Sequence, residues 1–151
     1  MDKQTNWNEK AERMTPGHLS DVAELEKLCF AEPWSESSLS LLTREGGVAF
    51  VVCEEGRAVA YGGMMTVLDE GQITNVAVHP DCRRRGYGRV IAEALVVYAK
   101  DNGLVSISLE VRESNEAAIS LYRACGFEIC GRRRGFYRKP VEDALIMVWN
   151  A

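Results

Sequence analysis

Two glycines and four arginines stand close together in the middle of the chain, in the segment Arg83-Arg84-Arg85-Gly86-Tyr87-Gly88-Arg89. Pro80 ends the strand-like run before this segment, and apolar residues at helical spacing follow it. The first N–H groups of a helix have no partner inside the helix and carry the positive end of its dipole, so they bind anions. Glycines let the backbone approach a phosphate closely, and arginines add positive charge. The segment therefore predicts a site for a pyrophosphate-bearing ligand, with a solvated basic turn as the alternative.

The elements on either side position this segment. A strand-like run ends at Val78, and a helix begins at Tyr87 and stops before Gly103. Apolar periodicity and turn residues predict the other elements: helices over 19–29, 35–43 and 115–125, and strands over 48–53, 58–68, 72–78, 105–112, 127–130 and 144–149. Tight turns between the first three strands indicate an antiparallel meander, and 131–140 is interpreted as a basic, aromatic connection.

Composition limits the class of protein. A length of 151 residues with 46% hydrophobic and 26% charged residues predicts one soluble domain over 13–151, after a flexible tail over 1–12. The net charge of −4 argues against a nucleic-acid binder, and no apolar run reaches membrane-spanning length. Five cysteines without a Cys-x-x-Cys pair, with two histidines, argue against a structural zinc site, so no metal is expected. We expect a cytoplasmic protein that is a monomer or weak dimer.

Several motifs together resemble the GNAT acyltransferases. The run Arg83 to Gly88, after Asn75 to Pro80, is similar to their acetyl-CoA motif, Gln/Arg-x-x-Gly-x-Gly/Ala. The runs 109–112 and 117–127 resemble the second half of the family. Pro33-Trp34-Ser35 resembles an early segment of its RimI-type protein N-terminal alanine acetyltransferases. The resemblance extends from about residue 13 to the end of the chain.

The resemblance implies a fold and a coenzyme site. The expected fold is a single GNAT-like domain of the α/β (α+β) class, with a mixed, mostly antiparallel sheet of six to seven strands, helices on both faces and a splay between the fourth and fifth strands. Acetyl-CoA is expected to bind at that splay. The implied contacts are Val76, Ala77, Val78, Arg83, Arg84, Arg85, Gly86, Tyr87, Gly88 and Asn115. From the residues alone, 76–78 could be ordinary paired strand and Asn115 merely a helix cap.

The resemblance also implies a base and an acid. A protonated amine has no lone pair with which to attack, so a base must take its proton, and the departing coenzyme sulfur needs an acid. Glu110, on the polar face of its strand, is the implied base; the strand pattern alone favours a surface carboxylate paired with an arginine. Tyr122 is the implied acid; helical spacing alone favours a core tyrosine.

The implied reaction is acetyl transfer from acetyl-CoA to a protein N-terminal α-amine, by direct attack in a ternary complex. The expected acceptor is alanine or serine at the start of a small-subunit ribosomal protein, with Trp34 and Tyr137 bordering the peptide entrance. Two alternatives stay open: acetylation of a protein lysine or a small-molecule amine, and a non-catalytic acetyl-CoA-binding module. No acyl-cysteine intermediate is expected, because no cysteine has an evident histidine partner.

Overall fold

Seven strands and four α-helices make up residues 10–151, the part of the chain that the computed structural model describes. The strands are β1 (Glu12–Arg13), β2 (Gly47–Glu54), β3 (Arg57–Val67), β4 (Glu70–Val78), β5 (Ser106–Arg112), β6 (Glu128–Arg138) and β7 (Val141–Asn150). The helices are α1 (Leu19–Cys29), α2 (Glu36–Leu39), α3 (Tyr87–Asp101) and α4 (Glu116–Ala124). All strands belong to one mixed sheet in the order β1-β2-β3-β4-β5-β7-β6.

The helices lie where apolar spacing and capping residues predict them. Ser35 accepts a hydrogen bond from the Ser38 N–H at 3.1 Å and caps α2, and Asn115 accepts one from the Ala118 N–H at 3.1 Å and caps α4. A short 3₁₀ helix over Ser40–Thr43 extends α2 to its predicted end. These side-chain caps satisfy backbone N–H groups that the helices leave unpaired.

The first half of the sheet is the predicted antiparallel meander of β2, β3 and β4. Glu55 and Gly56, between β2 and β3, both have left-handed backbone conformations, with φ of 52° and 79°. Two consecutive positive φ angles match the twist of a two-residue hairpin. The predicted turn at this position is therefore confirmed.

β4 and β5 are parallel neighbours that separate after a short ladder. Their paired residues are Glu70 with Ser106, Gly71 with Ile107 and Gln72 with Ser108. Residues 73–78 of β4 have no ladder partner in β5. The predicted splay between the fourth and fifth strands is therefore confirmed, and we call it the β4–β5 gap.

Helices cover the two faces of the sheet unequally. α3 and α4 pack on one face, here called the α3 face, where Ile107 and Leu109 join their core. α1 and α2 pack on the other, the α1 face, where Tyr61 and Ala77 join theirs. This second core contains no residue of β5, β6 or β7. Among residues 10–151, helices therefore close the α1 face over β2–β4 and leave it open over β5–β7.

One predicted element is wrong. Residues 131–140 do not form a connection, because β6 continues to Arg138 and only Lys139 and Pro140 turn into β7. β6 is the outer strand of the sheet, and most of its residues are exposed. An edge strand with solvated faces needs no apolar alternation, so its arginine run carries no strand period.

The start of the chain contributes a short strand. Residues 1–9 of the predicted tail lie outside the described residues, and Glu12 pairs with Val51 at the start of β1. Within residues 10–151, no helix is both long enough and apolar enough to span a membrane.

Candidate active site

Backbone groups border the β4–β5 gap along β4. Val76 and Val78 direct their side chains to the α3 face, and Ala77 directs its methyl group to the α1 face. The Val78 carbonyl accepts hydrogen bonds from the Cys29 thiol at 3.4 Å and from Arg83 Nε at 3.3 Å. Because the ladder with β5 ends before residue 73, the backbone groups that face the gap have no partner strand. They can pair with the amides of an extended ligand.

The N-terminus of α3 has no side-chain cap. Gly86 is its N-cap residue, with φ of 81°, whereas Ser35 and Asn115 cap α2 and α4. Arg84 in the same loop also has a positive φ, 66°. The first N–H groups of this 15-residue helix therefore carry the positive end of its dipole without a side-chain acceptor. A diphosphate fits such a position.

The two glycines of the loop have different roles. Gly86 supplies the left-handed turn into α3. Gly88 lies inside α3, where a Cβ would stand 2.8 Å from Leu121 Cδ1 of α4. Gly88 therefore permits the close contact between the two helices that cover the α3 face, a packing role that the motif alone did not predict.

Three of the four arginines around this loop have partners within the protein. Arg83 is hydrogen-bonded to β4, Arg89 pairs with an acid of α3, and Arg85 Nη1 contacts both oxygens of Glu54 at 2.8 and 2.9 Å. Arg84 is exposed and has no ion pair or hydrogen bond with the rest of residues 10–151. Of the four arginines, Arg83 and Arg85 thus link the loop to neighbouring strands, Arg89 pairs within α3, and Arg84 is exposed.

Glu110 lies on the open part of the α1 face, beside the gap. Its neighbours Leu109 and Val111 point into the α3-face core, so strand alternation turns its carboxylate the other way. Its side chain is 14% exposed, lies 3.5 Å from Arg133 Nε and accepts a long hydrogen bond, 3.4 Å, from Gln72 Nε2. A carboxylate has about four lone-pair sites, so Glu110 keeps accepting capacity.

Tyr122 lies on the opposite face of the sheet, within the α3-face core. It is 7% exposed, and its ring meets Phe127 edge-on with the centroids 5.5 Å apart. Burial raises the pKa of its phenol, and the neighbouring Cys125 and Tyr137 add to the rise. No residue within 10–151 hydrogen-bonds its hydroxyl, which stays protonated and has its proton to give.

Tyr137 lies near Glu110 on the β6 side of the site. The Arg112 guanidinium carbon stands 4.3 Å from the centre of the Tyr137 ring, and Phe136 meets that ring edge-on at 5.1 Å. Burial raises the pKa of the Tyr137 phenol, the Arg112 charge opposes this and the Glu110 charge adds to the rise. The tyrosine is therefore within electrostatic reach of Glu110.

Local contacts hold Trp34 and Asn115. The backbone N–H of Trp34 donates to Glu26 Oε1 at 2.8 Å, and the Trp34 side chain packs against the α1-face core. Trp34 therefore belongs to the same side of the sheet as Glu110. Asn115 is exposed and caps α4, the helix that carries Tyr122.

A buried carboxylate in α1 belongs to this region and was not predicted. Glu26 is fully buried and accepts hydrogen bonds from the Trp34 N–H, the Tyr61 hydroxyl and the Asn75 side-chain amide. Helical spacing carried a signal, because residue 26 follows Val22 by one turn on the apolar stripe of α1. A charged residue on such a stripe indicates a buried hydrogen-bond network.

One cluster of potential metal ligands, Glu12, His18 and Cys53, occurs among the described residues. β1, which carries Glu12, is separated from β4 by two strands. The His18 Nδ1 atom accepts a hydrogen bond from the Thr15 N–H at 3.0 Å, so in the neutral ring Nε2 carries the proton. Neither nitrogen then has a free lone pair for a metal ion.

The matches with known proteins agree with this geometry. The acetyltransferase (GNAT) family model matches residues 19–127, and the chain belongs to that family. Acetyltransferases of the family use acetyl-CoA as the acetyl donor. The resemblance that the motifs indicated is therefore confirmed.

Within the family, the chain is similar to enzymes that modify a ribosomal protein. It is 38% identical over 131 residues to the ribosomal protein bS18-alanine N-acetyltransferase of Escherichia coli K12, covering 85% of this chain and 88% of that one. A putative enzyme of the same name from Bacillus subtilis is 34% identical, with 85% and 87% coverage. The crystal structure of the Escherichia coli ribosomal-protein-S18-alanine N-acetyltransferase superposes with a TM-score of 0.85 at 34% identity, covering 93% of this chain and 92% of that one.

Proposed function

We propose that this chain acetylates the N-terminal α-amine of ribosomal protein bS18, at an alanine, with acetyl-CoA as the donor. The observation that carries the proposal is the arrangement at the β4–β5 gap, with a partly exposed carboxylate on the open face and a buried phenol on the other. We take the acceptor from the similar proteins, which are ribosomal-protein-S18-alanine N-acetyltransferases. This reaction takes place in the cytoplasm, where ribosomal proteins are made.

The residues around the gap fit acetyl-CoA, which supplies an acetyl group activated as a thioester. The uncapped N–H groups at the start of α3, together with Arg84, are suited to its diphosphate. The backbone of Val76, Ala77 and Val78 is suited to the amides of its pantetheine arm, since β5 does not pair there. Asn115 keeps its role as a helix cap and lends its amide nitrogen to the coenzyme.

Glu110 acts as the general base. An α-amine has a pKa of about 7.7 to 8.0, so removing its proton at neutral pH costs on the order of 1 kcal/mol, against about 4 to 5 for a lysine. A single carboxylate, directly or through water, suits the first task better. The open α1 face gives the amine a route to Glu110.

Tyr122 acts as the general acid toward the departing thiolate. A phenol with the ordinary pKa of about 10 holds its proton at neutral pH, and burial, which raises the pKa of Tyr122, extends this to higher pH. Its place on the α3 face, opposite Glu110, separates the group that takes a proton from the group that gives one. Trp34 and Tyr137, on the two sides of the open face, border the path of the incoming peptide.

The proposal is tested with a peptide that reproduces the alanine-initiated N-terminus of bS18 and contains an internal lysine. After incubation with acetyl-CoA, fragment-ion mass spectrometry locates the acetyl group. We expect it on the α-amine. The matched control is the same peptide with its α-amine blocked, which should stay unmodified. Acetylation of the lysine in either peptide, or no transfer alongside tight acetyl-CoA binding, contradicts the proposal.

A further inference from the structure

Glu26 is a charged residue that α1 buries completely. Its relative exposure is 0%, and within residues 10–151 it is the sole charged side chain that is buried. None of the ion pairs of the described residues involves it. Burying a carboxylate costs free energy unless protein hydrogen bonds replace those to water, so donors are expected around Glu26.

Three donors from three different segments converge on this carboxylate. Oε1 accepts a hydrogen bond from the backbone N–H of Trp34 at 2.8 Å. Oε2 accepts hydrogen bonds from the Asn75 side-chain amide at 3.0 Å and from the Tyr61 hydroxyl. Trp34 lies in the segment after α1, Tyr61 in β3 and Asn75 in β4. One side chain therefore ties a loop to two strands.

Two of these donors belong to the walls of the site. Asn75 precedes Val76 in the stretch of β4 that has no ladder partner in β5. Trp34 packs on the α1-face core, on the same side of the sheet as Glu110. Loops without ladder or helix contacts are the mobile parts of a fold, so a link from Trp34 to β4 restricts the entrance segment.

We propose that Glu26 is a positioning residue for the acceptor: it fixes the segment around Trp34 against the free edge of β4 and so sets the width of the peptide entrance. The inference rests on the proposed function for the identity of the acceptor. It assigns Glu26 no contact with acetyl-CoA or with the reacting atoms.

The test uses Glu26→Asp, which keeps the charge but is one methylene too short to reach all three donors. We expect the KM for the alanine-initiated peptide to rise on the order of tenfold, as the loss of one or two hydrogen bonds predicts. The KM for acetyl-CoA should change less than about twofold. The matched control is Glu24→Asp on the same helix, whose exposed side chain pairs with Lys27.

Hydrogen exchange of the Trp34 amide gives a readout that needs no turnover. In Glu26→Asp this amide should exchange faster while the amides of β3 and β4 keep their protection. If Glu26→Asp does not fold, Asn75→Ala removes only the donor from β4 and should raise the peptide KM by a smaller factor, with the acetyl-CoA KM unchanged.

The outcomes separate the two ideas. Equal changes in both KM values, or no change in either, overturn the positioning role, as does a Trp34 amide that stays protected in Glu26→Asp. If the unaltered protein does not acetylate the peptide, the proposed function fails, and the exchange result alone decides the role of Glu26. In Asn75→Ala, an unchanged peptide KM overturns the link to β4.

Discussion

Two carboxylates on the α1 face have opposite surroundings. Glu26, in the closed part under α1, is fully buried and has three hydrogen-bond donors from three segments. Glu110, in the open part over β5, is partly exposed and has one long hydrogen bond and one ion pair, to Arg133, whose own side chain is 57% exposed. The same side-chain type therefore occurs once buried, with three protein donors, and once partly exposed, with one protein hydrogen bond and one ion pair.

The difference explains why only one of the two is suited to proton transfer. A base must reach the proton that it takes, and it needs a lone pair that no protein donor already occupies. Glu110 meets both conditions because none of the helices in the described part of the chain packs on β5–β7 on this face. Glu26 fails the first condition because it is fully buried, and three protein donors already take most of its lone pairs.

The largest effect is expected from Glu110→Gln. Removing a general base lowers kcat by about 10³-fold. Affinity for acetyl-CoA, measured by calorimetry, should stay nearly unchanged. The control is Glu113→Gln, an exposed carboxylate just after β5. Full activity in Glu110→Gln would remove Glu110 from the base role and with it the contrast between the two carboxylates.

A smaller loss, on the order of 10²-fold in kcat, is expected from Tyr122→Phe, because the leaving thiolate then lacks its proton donor. The pH dependence of kcat gives a second test, of the pKa of Tyr122. Burial raises the pKa of Tyr122 above the ordinary 10, so the phenol stays protonated as the pH rises through 10. A decline of the wild-type rate near pH 10 that disappears in Tyr122→Phe would contradict the raised pKa, and an unchanged kcat in Tyr122→Phe would contradict the role of general acid.

The closed and open halves should also differ in their tolerance of added atoms. A Cβ at Gly63 in β3 would lie 2.5 Å from Leu42 Cδ1 of the α1-face core, so Gly63→Ala should lower the free energy of unfolding by about 1 to 3 kcal/mol. At Gly131 in β6 the nearest atom is 3.4 Å away, and Gly131→Ala should change it by less than about 0.5 kcal/mol. Urea titration measures both. Similar losses in the two variants would mean that the halves do not differ in packing.

The smallest effect is expected on the free energy of unfolding at low pH. Glu142 of the open half accepts the Ser114 N–H at 2.6 Å and pairs with Arg112 at 3.1 Å, and these contacts, Ser114 first, hold its pKa below the ordinary 4.5. A carboxyl whose pKa is lower in the folded than in the unfolded state stabilises the fold at pH values above its unfolded-state pKa. This stabilisation is lost as the pH falls through the folded-state pKa.

Glu142→Gln should therefore lose less stability than the wild type as the pH falls from 7 to 3, below the ordinary pKa of 4.5, as measured by urea titration at each pH. Glu128→Gln, at an exposed position of β6, is the control and should keep the wild-type dependence. An identical pH dependence in all three proteins would show that Glu142 does not contribute to it.

Much of the fold was predictable because its signals are local. The apolar period of α1 and α3, the capping residues Ser35 and Asn115, and the hairpin at Gly56 all act within a few residues. β6 was only partly predicted, because an edge strand with solvated faces has no period to detect. The pairing of Arg85 with Glu54 was not predictable, since the two residues are 31 positions apart.

By itself, the amino-acid sequence determined the family, the order of elements, the basic glycine loop and the candidates Glu110 and Tyr122, because motifs and periodicity are properties of neighbouring residues. Only the tertiary structure decided which carboxylate is buried and which is open, which arginine stays available and which faces the helices cover. Exposure and hydrogen-bond partners depend on segments that the sheet brings together from distant parts of the chain, and no local pattern records them.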